Sequence, residues 1–300
     1  MPKTVRPRRS VLYMPGSNPR ALEKGKTLAA DGLILDLEDA VAPDAKVAAR
    51  GQVCAAVAAG GYGRRELIVR VNGLGTAWGY DDLAAVAGSA ADAVLLPKTE
   101  SAETVRQAES VLVANGAPDS LAIWCMMETP RGVLNAQEIA AAGPRVAGFV
   151  MGTSDLTKAI HARHTSLREP MLTSLSICIL AARAFDLAIV DGVHLDLNDD
   201  AGFEQSCRQG SELGFDGKTL IHPKTIAAAN RIFAPAAEDV AWAGRIIAAH
   251  AEAAAQGKGV VVVDGKLIEN LHVAEALRTV ALAEAIATLE AANAVESHAA

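Results

Sequence analysis

Carboxylates and cations recur in this sequence directly after short apolar runs, where they could bind a metal ion, hold an anion or move a proton. In order, Pro15-Gly16-Ser17 follows the first run, Asp36, Glu38 and Asp39 the second, Arg70 and Asn72 the third, Pro97-Lys98 the fourth and Glu128 the fifth. Gly152-Thr153-Ser154-Asp155, Asp191-Gly192 and His222-Pro223 follow the last three. If these run-ends share one mouth, their acids repel one another unless something positive neutralises them. A hard divalent cation is the simplest partner. Glu128 and Asp155 then supply oxygen ligands from adjacent strands and leave the other positions to water and substrate, the habit of Mg²⁺. Taken singly, each acid reads equally well as a solvated carboxylate or a helix cap.

Arg70 stands in the apolar run Leu67-Ile68-Val69-Arg70-Val71-Asn72, where a guanidinium needs a buried partner. An ion pair with Glu38 or Asp39 is the structural reading. The functional reading is a planar fork that grips a carboxylate or enolate oxygen next to the metal. After the first run, Pro15 to Pro19 opens a helix that carries Arg20 and Lys24. Backbone N–H groups, a helix N-terminus and two cations near one point make an anion-binding arrangement, although a Pro-Gly turn before a basic helix is common in α/β proteins.

Eight apolar runs precede these residues: Ser10 to Met14, Leu33 to Leu37, Leu67 to Val71, Ala93 to Leu96, Ala122 to Met127, Val146 to Met151, Ala188 to Val190 and Lys218 to Ile221. Helical stretches such as Pro19 to Ala30, Ser101 to Ala114 and Arg131 to Ala141 separate them, which predicts an α/β fold with a parallel sheet closed as a (β/α)8 TIM barrel. Such a barrel carries its chemistry at the C-terminal ends of its strands. The expected division is a catalytic barrel over residues 1–235 and a C-terminal helical extension and lid, or swapping segment, over 236–300. In that tail a helix from Ala237 to Ala255 precedes a short strand, Val260 to Val263, then Asp264-Gly265 and a final helix to about Ala292. Glu296 to Ala300 are expected to be disordered.

Composition narrows the function classes. The net charge is −7, and the basic cluster Lys3 to Arg9 has no apolar stretch behind it. We therefore expect no nucleic-acid partner, no membrane span and no secretory leader. The four cysteines, Cys54, Cys125, Cys178 and Cys207, lack CxxC spacing and read as free thiols of a cytoplasmic protein.

With those residues in hand, the chain resembles the HpcH/HpaI aldolase and citrate lyase β-subunit family, and within it the CoA-ester lyases. The resemblance spans nearly the whole chain. It rests on Tyr13-Met14-Pro15-Gly16-Ser17 with Arg20 and Lys24, Leu35-Asp36-Leu37-Glu38-Asp39-Ala40-Val41, Arg70-Val71-Asn72 and Leu96-Pro97-Lys98. It continues with Met127-Glu128-Thr129, Gly152-Thr153-Ser154-Asp155, Gly217-Lys218-Thr219-Leu220-Ile221-His222-Pro223 and Val263-Asp264-Gly265-Lys266. The resemblance implies a Mg²⁺-dependent lyase, with Mn²⁺ as a substitute, that cleaves citramalyl-CoA or malyl-CoA to acetyl-CoA and pyruvate or glyoxylate. It implies that Glu128 and Asp155 hold the metal, that Glu128 also meets substrate, and that Arg70 holds substrate and stabilises enolate charge. Glu38 and Asp39 match an acidic pair that orders water at the metal. Tyr13, Pro15, Arg20 and Lys24 match the CoA-contacting set, and Asp264 a catalytic lid aspartate from a neighbouring copy in a homotrimer or hexamer. A citrate lyase β-subunit acting on a carrier-bound citryl thioester and a malyl-CoA thioesterase are the alternatives. An aldolase for free hydroxy-acids would have no need of Arg20 and Lys24, and a non-catalytic CoA-binding protein would gain nothing from the clustered charge.

Overall fold

The computed structural model describes residues 5–257 and 259–297, with side chains to residue 293. The start of the Lys3 to Arg9 cluster, Lys258 and the last three residues of the expected disordered tail lie outside the described residues. By its internal contacts the chain divides into two compact units, a barrel over residues 8–233 and a C-terminal unit over 234–295 that also takes in residues 5–7.

Eight parallel strands close the barrel: β1 (Ser10–Pro15), β2 (Gly32–Asp36), β3 (Glu66–Arg70), β4 (Ala93–Leu96), β5 (Ala122–Met127), β6 (Val146–Met151), β7 (Ala188–Asp191) and β8 (Gly217–Leu220), with β1 paired to β8. Ten helices fill the connections: α1 (Pro19–Gly25), α2 (Lys46–Ala59), α3 (Gly79–Ala87), α4 (Ala102–Ala114), α5 (Pro130–Leu134), α6 (Ala136–Ala140), α7 (Thr153–Ala159), α8 (Leu172–Ala184), α9 (Asp200–Leu213) and α10 (Ile226–Phe233). The two-residue period of a strand sorts the core into two clusters. Val11, Ile34, Ile68, Leu95, Trp124, Met126, Val150 and Val190 fill the barrel interior. Their strand neighbours, such as Leu33, Leu35, Val69, Leu96 and Cys125, pack outward in the larger cluster with helix residues such as Val53, Val86 and Leu112. Trp124 fits the narrow interior because β6 offers Gly148 opposite it; a Cβ there would sit 2.7 Å from the indole ring.

The alternation has a consequence for chemistry. Residues two places beyond an interior residue keep its parity, so Tyr13, Asp36, Arg70 and Glu128 follow Val11, Ile34, Ile68 and Met126 toward the axis, at the C-terminal mouth.

Some elements depart from the sequence reading. The expected helix Pro19 to Ala30 stops at Gly25, which packs tightly against Leu33. The stretch Arg131 to Ala141 breaks at Asn135, whose side-chain amide donates to Glu100 O at 2.8 Å. Arg70 ends β3 rather than standing inside it. Arg8 and Arg9, from the basic cluster, bind Glu66 and Asp31 at 2.6 and 2.9 Å in the barrel unit. The cysteines are free thiols, with Cys54 half-buried and the other three buried.

The C-terminal unit contains α11 (Ala237–Ala255), a two-stranded antiparallel hairpin of β9 (Val261–Val263) and β10 (Lys266–Ile268), and α12 (Asn270–Ser297). Ala243, Ile246, Val263, Ile268 and Ala276 form its core. Asp264 and Gly265 make the two-residue turn with φ of 48° and 77°, the signature of a type I′ hairpin. Lys266 to Ile268, between the expected strand and the expected final helix, form β10, and Glu296, expected to be disordered, lies within α12. No helix among the described residues is long and apolar enough to cross a membrane.

Candidate active site

Arg70 is the centre of the mouth. It is 6% exposed, a position no guanidinium tolerates without partners. Its Nε and Nη2 donate to Asp36 Oδ1 and Oδ2 at 2.7 and 2.6 Å, a two-pronged bond. Asp36 is itself held, accepting from the Glu38 and Ala40 N–H groups at 2.8 and 3.1 Å. The Tyr13 ring lies under the guanidinium, 4.9 Å from centroid to Cζ. Nη1 forms a second ion pair, 2.8 Å from Glu38 Oε2, and donates to Met126 Sδ at 3.6 Å. Burial works against the arginine's charge, but the Asp36 hydrogen bonds and the surrounding acids outweigh it and raise its pKa. A fixed cation with one edge tied to Asp36 and the other beside the Glu38 carboxylate is held at the mouth in a set orientation, suited to meet a developing oxyanion.

The sequence reading paired Arg70 with Glu38 or Asp39. The structure corrects the principal partner to Asp36, with Glu38 second and the exposed Asp39 at 3.6 Å. Parity with Ile34 was the available signal for Asp36.

The loop after β2 is pinned from beneath. Lys46 Nζ donates to the carbonyls of Leu37 and Glu38 at 2.8 and 2.7 Å, and Asn72 Nδ2 donates to Leu37 O at 2.9 Å. Asn72 is in turn fixed by buried Asp82, which accepts from its Nδ2 at 2.6 Å and its N–H at 3.0 Å. Glu38 is thereby presented to Lys98, whose Nζ donates to Glu38 Oε1 at 2.9 Å. Burial raises the Glu38 pKa, opposed by Arg70 and Lys98.

Glu128 follows β5 and is 2% exposed. Its Oε1 accepts the Lys98 N–H at 2.7 Å, and its side chain lies against Gly152, where a Cβ would come within 2.4 Å of Glu128 Cβ. Gly152 opens α7, whose first turn carries Asp155, 4.0 Å from Lys98 Nζ and half exposed. Burial, opposed by the Lys98 N–H, pushes the Glu128 carboxyl up to about 7. A nearly buried carboxylate with so little compensation is suited to a cation. No cluster of three or more metal-ligating side chains exists among the described residues. Two carboxylates with the rest left to water and substrate is the donor set Mg²⁺ accepts.

Of the other expected residues, Pro15 ends β1, while Arg20 and Lys24 lie exposed on α1, whose N-cap Asn18 accepts from Ala21 N–H at 3.1 Å. Asp264 belongs to the C-terminal unit, 65% exposed and 3.4 Å from Arg245. A cavity of about 360 Å³ lies beside α7, lined by Thr153, His164, Met171, His194 and Leu195 among others and by none of the site acids.

Residues 9–223 match the model of the HpcH/HpaI aldolase/citrate lyase family. A (3S)-malyl-CoA thioesterase of Cereibacter sphaeroides is 51% identical over 97% of this chain and 100% of its own length. The L-malyl-CoA/beta-methylmalyl-CoA lyase of the same organism is 33% identical over 95% of this chain and 97% of its own. Among solved structures, CitE from Mycobacterium tuberculosis, in complex with magnesium, acetoacetate and coenzyme A, superimposes with a TM-score of 0.74 at 32% identity, covering 93% of this chain and 100% of that one.

Proposed function

Because the chain belongs to the HpcH/HpaI aldolase/citrate lyase family, we propose that it is a Mg²⁺-dependent hydrolase of a short hydroxyacyl-CoA thioester, with (3S)-malyl-CoA as substrate and malate and CoA as products. The observation that carries this reading is the full-length match, at half identity, to a relative that bears that activity in its name. Glu128 and Asp155 would hold the metal. A bound Mg²⁺ would polarise substrate oxygens as a Lewis acid and orient them.

The chain's own groups do the rest. Water attacks the thioester carbonyl carbon, the carbon–sulfur bond breaks, and the departing thiolate takes up a proton. Arg70, tethered by Asp36, offers Nη1 to the oxygen on which charge develops. Glu38, with its pKa raised by burial, is the proposed group to accept a proton from the attacking water. Asp39 flanks it at the rim. Tyr13, Pro15, Arg20 and Lys24 are the proposed contacts to the CoA moiety, with the two cations directed to its phosphates. Asp264 is the proposed proton-handling group, supplied by a neighbouring copy in a homo-oligomer.

Carbon–carbon cleavage is the second reading, favoured by the malyl-CoA lyase relative and by the same Arg70 geometry, which would equally stabilise a departing enolate. One assay separates the two. With Mg²⁺ and (3S)-malyl-CoA or (S)-citramalyl-CoA, hydrolysis releases free thiol without a 2-oxoacid, whereas cleavage releases glyoxylate or pyruvate without thiol. Arg70→Ala is expected to reduce either activity about a hundredfold or more. Full activity in that variant removes Arg70 from the chemistry.

A further inference from the structure

Lys98 follows β4 with φ of 45°, in the left-handed region that a residue with a side chain enters only at a cost. The turn aims its main-chain N–H at Glu128 Oε1, 2.7 Å away. From the same residue the ammonium reaches 2.9 Å from Glu38 Oε1 and 4.0 Å from Asp155 Oδ2. One residue therefore addresses three acids that follow three different strands, two of them the proposed cation ligands. The two contacts differ in kind. The N–H is fixed by the backbone, whereas the side chain is 51% exposed and has solvent to move into.

We propose that Lys98 is a positioning residue that takes the place of the divalent cation when the cation is absent: its ammonium neutralises Glu38 and Asp155, and it gives up Asp155 when the metal arrives, while its N–H holds Glu128 in place throughout. The inference rests on the metal-binding reading of Glu128 and Asp155. It gives Lys98 a property that a merely structural lysine lacks. Ammonium and metal compete for the same negative charge, so deleting the ammonium must tighten metal binding. A lysine needed only to keep the acids in place would weaken binding when lost.

The test is Mn²⁺ titration of the full chain, with free Mn²⁺ read by electron paramagnetic resonance. The variants are Lys98→Gly, which suits the left-handed backbone and keeps the N–H, Lys98→Met, which keeps the stem, and Lys98→Arg, which keeps the charge. Lys98→Gly and Lys98→Met are expected to bind Mn²⁺ about tenfold more tightly than wild type, and Lys98→Arg close to wild type. Anything short of tightening in both uncharged variants, or equal tightening in Lys98→Arg, overturns the role of Lys98 alone. Wild-type protein that binds no Mn²⁺ overturns the metal reading and the Lys98 role with it.

Discussion

Burial sets the chemistry of Glu128 before any ligand arrives. Its carboxyl titrates near 7 in the folded protein against an ordinary value near 4.5, so between those values the folded state holds a proton that the unfolded state has lost. The stability tied to this proton is present in full below the ordinary value and disappears as pH rises through about 7, a loss on the order of 3 kcal/mol. Chelator-treated protein should therefore lose roughly 5 °C in Tm between pH 5 and pH 8 from this group. Mg²⁺ should raise Tm more at pH 8 than at pH 5, because only the ionised carboxylate binds it. Glu128→Gln should flatten the pH dependence and abolish the Mg²⁺ effect in the same thermal melts. A Glu128→Gln variant as pH-dependent as wild type would show that another group carries the titration.

All eight apolar runs became strands, three with the expected bounds and the others shifted by a residue at one or both ends, because runs of Val, Ile and Leu between Gly, Pro and Asp have few other destinations. The acids and Arg70 were legible as residues after strands. Their connections were not. Which acid ties Arg70 depends on the inward parity shared by β2 and β3, and the reach of Lys98 depends on a left-handed backbone that its residue type argues against. Asn135, which splits one expected helix, acts through a contact to a loop 35 residues earlier. The β6–α7 junction shows how closely an element can hold a side chain. Gly152 N–H bonds Met127 O at 3.1 Å, and its missing Cβ is the space in which Glu128 lies. Gly152→Ala should displace Glu128 and weaken Mn²⁺ binding at least tenfold, a loss comparable to those seen when groups supporting metal ligands are removed. Calorimetric titration checks this, and unchanged affinity would mean that Glu128 has room to shift.

The last two strands of the barrel are joined by charge as well as by backbone pairing. Asp191, fully buried on β7, accepts from Arg168 Nη1 at 2.7 and 2.8 Å and from Lys218 Nζ of β8 at 2.9 Å. Burial opposes its charge, but the two cations hold its pKa below the ordinary range. Asp191→Asn leaves the buried Lys218 ammonium facing the partly buried Arg168 guanidinium with no counter-charge and should cost about 3 to 5 kcal/mol. Urea denaturation measures it, and a loss under about 1 kcal/mol would mean that water replaces the missing charge.

The β1–β8 pairing has a consequence for the way the chain is made. Leu12 meets Leu220, so the first strand leaves the ribosome with one edge bare and waits for a partner 208 residues later. At about 5 to 20 residues per second, that wait is roughly 10 to 40 s. During it, the apolar strands of a half-made barrel expose hydrogen-bonding edges to any neighbouring chain. Cells that make many copies of this protein at once should therefore lose more of it to aggregation at nascent-chain lengths short of Leu220 than after barrel closure, which places the hazard in synthesis rather than in the finished fold.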